Sequence, residues 1–329
     1  MKDLNGDISS PSRIIPDEKT TKVGTKDLYL GDVSERDKPW DKHRANADKV
    51  ANFYRGSEFA QYATRMDFCS QILDFKLVPE HKSGELKFKL DAAKFCRVKH
   101  CPVCQFRRSL RWKAKAYQIL PLVVKAYKKH RWLFLTLTIK NCPITELKNT
   151  LQAMNKAWQR MVQRKKFPAI GWIRSTEVTR GKNRSAHPHF HCLLLVKPGY
   201  FGKYYLKQHE WVELWRSCMR LDYNPILDIR PVRKGHQPME LVPEILKYCT
   251  KESDLVADRE WFLELTRQMH KMRTVSTGGV LKEYLRQLEQ EPEDLIGKDE
   301  TKVEDEVDEE HLFFGWKYLD KRYKLVDKE

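Results

Sequence analysis

The segment His187-Pro-His-Phe-His191 runs directly into the apolar stretch Cys192-Leu-Leu-Leu-Val196. Such a run predicts a β-strand, in which successive side chains point to opposite faces. His189 and His191 therefore project together, with Phe190 on the other side. Two imidazoles at adjacent same-face positions suit one divalent cation. Glu177 lies in the preceding strand-like stretch, Ile170 to Thr179, and is the expected third ligand. The polar loop Arg180-Gly-Lys-Asn-Arg-Ser185 carries turn residues that would pair the two strands as a hairpin. His187 shares the parity of the pair and is the alternative ligand, although Pro188 disturbs the start of the strand.

A second group lies in Pro243-Glu-Ile-Leu-Lys-Tyr-Cys-Thr-Lys251. The pattern predicts a helix from Met239 to Thr250, and the spacing of Glu244, Tyr248 and Lys251 sets the three on one face of it. A phenol with a pKa of about 10 is a poor nucleophile near neutral pH, so attack needs a cation to stabilise the phenolate and the charge that develops on the target. Lys251 and a metal at the histidine pair would supply that charge. Glu244 is placed to act as a general base that activates water at the same site.

The third group is Cys96-x4-Cys101-x2-Cys104. Three thiolates at this spacing, with the tight Cys101-Pro-Val-Cys104 knuckle, predict a structural zinc site, which closes on four ligands. Cys69 is assigned as the fourth, with His100 as the alternative. A redox role for the knuckle fits less well, because no thioredoxin-like βαβ pattern surrounds it. The basic amphipathic run from Gln105 to Lys115 predicts a helix whose Arg107, Arg108, Arg111 and Lys113, with Trp112 among them, suit phosphates. Lys247, beside Tyr248, is a further expected phosphate contact.

These groups need elements to hold them. The strand-like Trp132 to Ile139 is followed, after Pro143, by Leu147, Leu151, Met154, Trp158 and Met161 at helical spacing. The two strands of the expected hairpin come next, then a helical stripe from Trp211 to Met219 and a strand from Ile226 to Val232. The order predicts an α+β fold, a ferredoxin-like or RRM-like antiparallel sheet with helices on one face and the other face free for a site. Around it we expect a mobile arm (residues 1–40), a zinc-binding, DNA-contacting module (41–127), a catalytic domain (128–288), an acidic linker (289–310) and a docking element (311–329) whose Leu312–Leu319 is strand-like.

The chain has 329 residues, enough for one large or two modest domains. Its net charge is +17; residues 289–310 hold twelve acidic residues against two lysines, a net of −10, which leaves +27 on the rest. Such an excess favours a polyanionic partner, nucleic acid first. No apolar run reaches the roughly 18 residues of a membrane span, and the start lacks a signal-peptide core, so a cytoplasmic protein with no membrane partner is expected.

Taken together and in order, Phe134-Leu-Thr-Leu-Thr138, His187-Pro-His-Phe-His191 and Lys247-Tyr-Cys-Thr-Lys251 with Glu244 upstream resemble the motifs of the replication initiators of rolling-circle plasmids, within the HUH endonuclease superfamily. Phe95 to Arg108 is similar to the cysteine-rich segment preceding the nuclease core in such initiators. The resemblance spans most of residues 40–325. It implies Mg²⁺ or Mn²⁺ at the histidine pair, attack by Tyr248 on origin DNA to leave a 5′-phosphotyrosyl link and a free 3′-hydroxyl, and extension by a host polymerase with a host helicase. It also implies that Glu244 serves a water-mediated cleavage that ends the round. Two other readings are a transposase or relaxase of the same superfamily, against which the Glu244 spacing speaks, and a noncatalytic zinc-containing nucleic-acid-binding protein, which leaves the histidines and tyrosine unexplained.

Overall fold

The computed structural model describes residues 28–79, 86–233, 236–247, 249–290 and 311–326. A one-turn helix α1 (Leu30–Val33) leads to α2 (Pro39–Tyr54), which opens on a proline whose fixed φ suits a first helical turn. Helix α3 (Ala60–Asp67) precedes the strand pair β1 (Ile72–Pro79) and β2 (Leu86–Ala93). The 25-residue α4 (Pro102–Ala126) then runs from the cysteine knuckle to β3 (Arg131–Thr138). Helix α5 (Leu147–Val162), the hairpin β4 (Ala169–Arg180) and β5 (Ala186–Val196), helix α6 (Gln208–Met219) and β6 (Leu227–Pro231) follow. After short helices α7 (Val242–Ile245) and α8 (Glu252–Leu255) come α9 (Arg259–Gln268), β7 (Val275–Gly279) and α10 (Val280–Gln290). A last hairpin, β8 (His311–Lys317) and β9 (Arg322–Val326), completes the described chain. No helix among the described residues is long and apolar enough to cross a membrane.

Two antiparallel sheets result: β6-β3-β5-β4-β7 and β2-β1-β8-β9. In the larger, alternation along β3 and β5 divides the side chains between two cores. Leu133, Leu135, Leu137, Phe190, Cys192 and Leu194 pack with the apolar stripes of α5 and α6. Trp132, Phe134, Leu193 and Leu195 pack with Ala116, Ile119, Leu120 and Val123 of α4 and Leu281 and Leu285 of α10. The face expected to be free is therefore largely covered. The cause lies in α4: its basic first half belongs to the cysteine segment, while its apolar second half reaches across the sheet. Only the end of that face carrying the histidines is left clear of these two helices' apolar stripes. Where β7 meets α10, Gly279 adopts φ +55°, and a Cβ there would lie 2.0 Å from the Ile170 carbonyl oxygen, so only glycine lets β7 close on β4.

The smaller sheet was not foreseen. The docking element is a hairpin rather than one strand, and β8 pairs with β1 from Ile72–Gly315 to Lys76–His311. Phe314 sits between Phe75 and Phe88, with ring centroids 6.0 and 6.1 Å away. Trp316 donates its Nε1–H to Asp48 of α2 at 3.0 Å, and the Tyr323 hydroxyl donates to the Ser70 carbonyl at 2.7 Å. Part of the expected mobile arm is also ordered: Leu30 is fully buried and the Leu325 N–H bonds the Leu28 carbonyl at 2.8 Å, because the outer edge of β9 offers unpaired backbone groups. Residues 1–27 and the acidic linker, 291–310 in the main, lie outside the described residues.

Since Phe314 is fully buried at the junction of hairpin and module, Phe314→Ala should cost about 3–5 kcal/mol, read as a lower urea midpoint with an unchanged slope. A loss below about 1 kcal/mol would mean that the hairpin is not part of the folded unit.

Candidate active site

Pairing of β4 with β5 sets Glu177 opposite His189 and Ser175 opposite His191, and β3 sets Thr138 and Thr136 opposite the same two histidines. All six positions lie on the α4 face. The Nε2 atoms of His189 and His191 stand 3.1 and 2.9 Å from one oxygen, Glu177 Oε2. The other ring nitrogens are also engaged: His189 Nδ1 lies 3.2 Å from the His187 carbonyl and His191 Nδ1 3.3 Å from Thr136 Oγ1. Contacts of this kind fix ring orientation and aim Nε2 at a shared point. The three side chains are buried, and their ligand atoms fall within 4.8 Å of one another. Two imidazoles and a carboxylate form a donor set that can hold one divalent cation.

Burial alone would raise the Glu177 carboxyl, but hydrogen bonds from His189, His191 and Lys247 outweigh it and hold the group well below the usual carboxylate range. It is thus an anion wherever the protein is folded near neutral pH. Burial pushes the His191 imidazole down, which favours the neutral form that ligates a metal. His187, the alternative ligand, is turned away: its Nδ1 meets Asn141 Oδ1 at 2.7 Å, outside the cluster.

The tyrosine segment departs from the expected helix. A 3-10 turn, Pro238–Leu241, leads into α7, which ends at Ile245, and Leu246 leaves helical geometry at φ −105°, ψ 31°. Lys251 is the cap of a separate helix, α8, so Glu244 and Lys251 do not share one helical face. The physical reason is a set of stronger claims on residues 246–249. Ser109 donates to the Leu246 carbonyl at 2.5 Å and Lys247 Nζ lies 2.8 Å from Glu177 Oε2. The Cys249 carbonyl accepts from Val178 of β4 at 2.8 Å, and its thiol donates to Gln105 at 3.1 Å. Tyr248 lies outside the described residues. Beyond it, the buried Glu252 pairs with His43 and accepts from Asn46 Nδ2 at 2.7 Å, tying α8 to α2. Glu244 is not part of the Glu177 cluster; its carboxylate accepts from Arg230 of β6 at 2.8 and 3.1 Å.

Cys69, Cys96, Cys101 and Cys104 come together, all buried and none in a disulfide. Cys69 stands 3.8 Å from Cys101 and 3.7 Å from Cys104, and Cys96 3.5 Å from Cys104. A tetrahedron with metal–sulfur bonds of about 2.3 Å has edges of about 3.8 Å, so the spacing is consistent with a zinc site. Burial pushes the Cys101 thiol up while hydrogen bonds from Cys101, Cys69 and Cys96 pull Cys104 down. Four thiolates cannot coexist there without a cation. His100 is not among the four; it is fully buried, and burial lowers it to about 3.

The basic helix is more structural than its composition suggests. Arg107 lies 3.7 Å over the Phe95 ring and Arg108 donates to the Lys99 carbonyl at 3.3 Å, while Lys113 is half-buried and Arg111 exposed. Lys247, expected on phosphate, is engaged with Glu177. Sequence reasoning missed Thr136, Ser175, Gln105 and Ser109. Only Thr136 carried a signal, since Thr136 and Thr138 alternate with leucines on the strand that borders the histidines.

The sequence profile of the family described as "Replication protein" matches residues 87–324. A "Protein rep" of Lentilactobacillus hilgardii is 35% identical over 314 residues, covering 89% of this chain and 98% of that one. One of Bacillus amyloliquefaciens is 34% identical over 304 residues, 82% and 87% of the two chains, and one of Streptococcus pneumoniae serotype 2 is 32% identical over 275, 80% and 84%. No solved structure matches the chain.

Metal analysis of gently purified protein should find about one tightly held zinc per chain, lost in Cys104→Ser together with a fall in Tm. A metal-free wild type of equal stability would rule out a structural metal at the four thiols.

Proposed function

Because the chain belongs to the replication-protein family, we propose that it initiates rolling-circle replication of a plasmid by nicking one strand of origin DNA with Tyr248. The observation that carries this reading is the convergence of His189 and His191 on Glu177 Oε2 immediately beside the residues that flank Tyr248. The strand order β6-β3-β5-β4 is that of the split βαβ arrangement, which supports the ferredoxin-like core expected of such an enzyme. Residues Glu177, His189 and His191 would hold Mg²⁺ or Mn²⁺, whose charge polarises a phosphate and steadies its oxygens. The four cysteines would hold structural zinc.

In the proposed step the Tyr248 hydroxyl oxygen forms a bond to phosphorus, the phosphorus–O3′ bond breaks, the phenol proton is given up and the departing 3′ oxygen gains one. The product is a 5′-phosphotyrosyl link and a free 3′-hydroxyl for a host polymerase, with a host helicase opening the duplex. Lys251 would assist as a cation near the phenolate. Glu244, once freed of Arg230, would activate water for the second cleavage that ends the round. Arg107, Arg108, Arg111, Lys113 and Lys247 are proposed to face the DNA backbone, Arg111 most openly. The cytoplasm is where such a substrate resides.

A nicking assay on single-stranded origin DNA tests the reading. Tyr248→Phe should form no covalent adduct and chelation of divalent metal should stop nicking; an adduct from the variant refutes the proposal. Glu244→Ala should retain the first nick but give overlong or multimeric products, and normal monomer circles from it would remove Glu244 from the mechanism.

A further inference from the structure

Far from the histidines along β5, the chain displays aromatic rings that no core uses. After Val196 the segment Lys197-Pro-Gly-Tyr-Phe-Gly-Lys-Tyr-Tyr205 leaves Phe201, Tyr204 and Tyr205 at 40%, 61% and 52% exposure. Three exposed large rings within five residues form a patch that calls for an occupant. The display is built rather than slack. Tyr200 is buried as the anchor, its hydroxyl accepting from Trp211 Nε1 at 3.0 Å, and turns close through Gly202 N–H to the Gly199 carbonyl and Tyr205 N–H to the Gly202 carbonyl, each 3.2 Å. Phe201 and Tyr205 lie nearly parallel, 29° apart with centroids at 6.3 Å.

Cations frame the rings. Arg131 lies 4.9 Å from the Phe201 centroid and Lys203 5.8 Å from that of Tyr204. Lys197 is exposed, and Arg233 lines a cleft together with Arg131. None of these four cations forms an ion pair among the described residues. Parallel faces for bases and unpaired cations for phosphates are the two halves of a site for single-stranded nucleic acid. Arg131 pairs with Val196, whereas His191 lies five residues back along β5, roughly 17 Å away.

We propose that Phe201, Tyr204 and Tyr205, with Arg131, Lys197, Lys203 and Arg233, form a second binding site for single-stranded DNA, separate from the metal centre. It rests on the reading of the chain as a strand-nicking protein and adds to it where the strand is held away from the nick. Bases stack on the rings without sequence preference, and the cations hold the backbone.

The test measures binding of a labelled oligo(dT) of about 16 nucleotides to the full chain in chelator, so that cleavage plays no part. The triple variant Phe201→Ala/Tyr204→Ala/Tyr205→Ala should bind about 10-fold more weakly or worse, with an unchanged Tm because the buried anchor Tyr200 is kept. The pair Lys197→Gln/Lys203→Gln should reduce the slope of log affinity against log salt by about 1.4 and serves as the deciding variant if the triple one misfolds. Unchanged affinity in the folded triple variant, or an unchanged salt slope in the pair, overturns the proposal. So does a triple variant that keeps its DNA affinity but changes molecular mass in light scattering, which would make the patch a contact between copies. A wild type that binds no oligo(dT) at all also overturns the proposal, whereas the nicking role itself stands or falls on adduct formation with origin DNA, a result distinct from either variant's failure.

Discussion

The register between β4 and β5 is the constraint on which the rest depends. Glu177 opposite His189 and Ser175 opposite His191 put one carboxylate oxygen within hydrogen-bond reach of two imidazoles. A slip of one residue would send either strand's set to the opposite face, among the leucines and tryptophans that pack on α5 and α6. Both faces of β5 are buried, so the slip is opposed from each side. The same apolar layers that stabilise the sheet thereby fix the geometry of the site. The desolvation of Glu177 is tolerable because three nitrogen donors surround it.

The cysteine segment contributes more than a separate module. Helix α4 begins at the four-thiol cluster, carries Gln105 and Ser109 to the backbone and side chain of residues 246–249, and ends on the sheet. Helix α2 holds the following residues through His43, Asn46 and Glu252. One helix thus touches the four-thiol cluster, residues on either side of Tyr248 and the sheet. The closing hairpin braces the same module from behind by pairing with β1, so residues near both chain ends bear on the position of α2 and α4.

Much of the central sheet was legible. The strand at Trp132–Ile139, the helix from Leu147, the hairpin and its same-face histidines, the helix at Trp211 and the strand at Ile226–Val232 all appear within a few residues of where periodicity set them. Glu177 and Cys69 lie in the clusters to which strand parity and ligand number had pointed. What was not legible depends on partners distant in sequence. Pairing of β1 with β8 joins residues more than 230 apart and has no local signature. The helix predicted across Tyr248 yields after Ile245 because Glu177 and Val178, some seventy residues earlier, take Lys247 and the Cys249 carbonyl. Tertiary contacts of that kind override helical spacing, and the basic run of α4 concealed that its second half is a core helix.

Glu177, His189 and His191 are proposed to form one divalent-cation site together. Titration of the zinc-replete chain with Mn²⁺, followed by electron paramagnetic resonance, tests it without relying on cleavage. One Mn²⁺ per wild-type chain is expected, with affinity lower by about 10-fold or more in both Glu177→Gln and His189→Ala. Equal stoichiometry and affinity in wild type and both variants would contradict it.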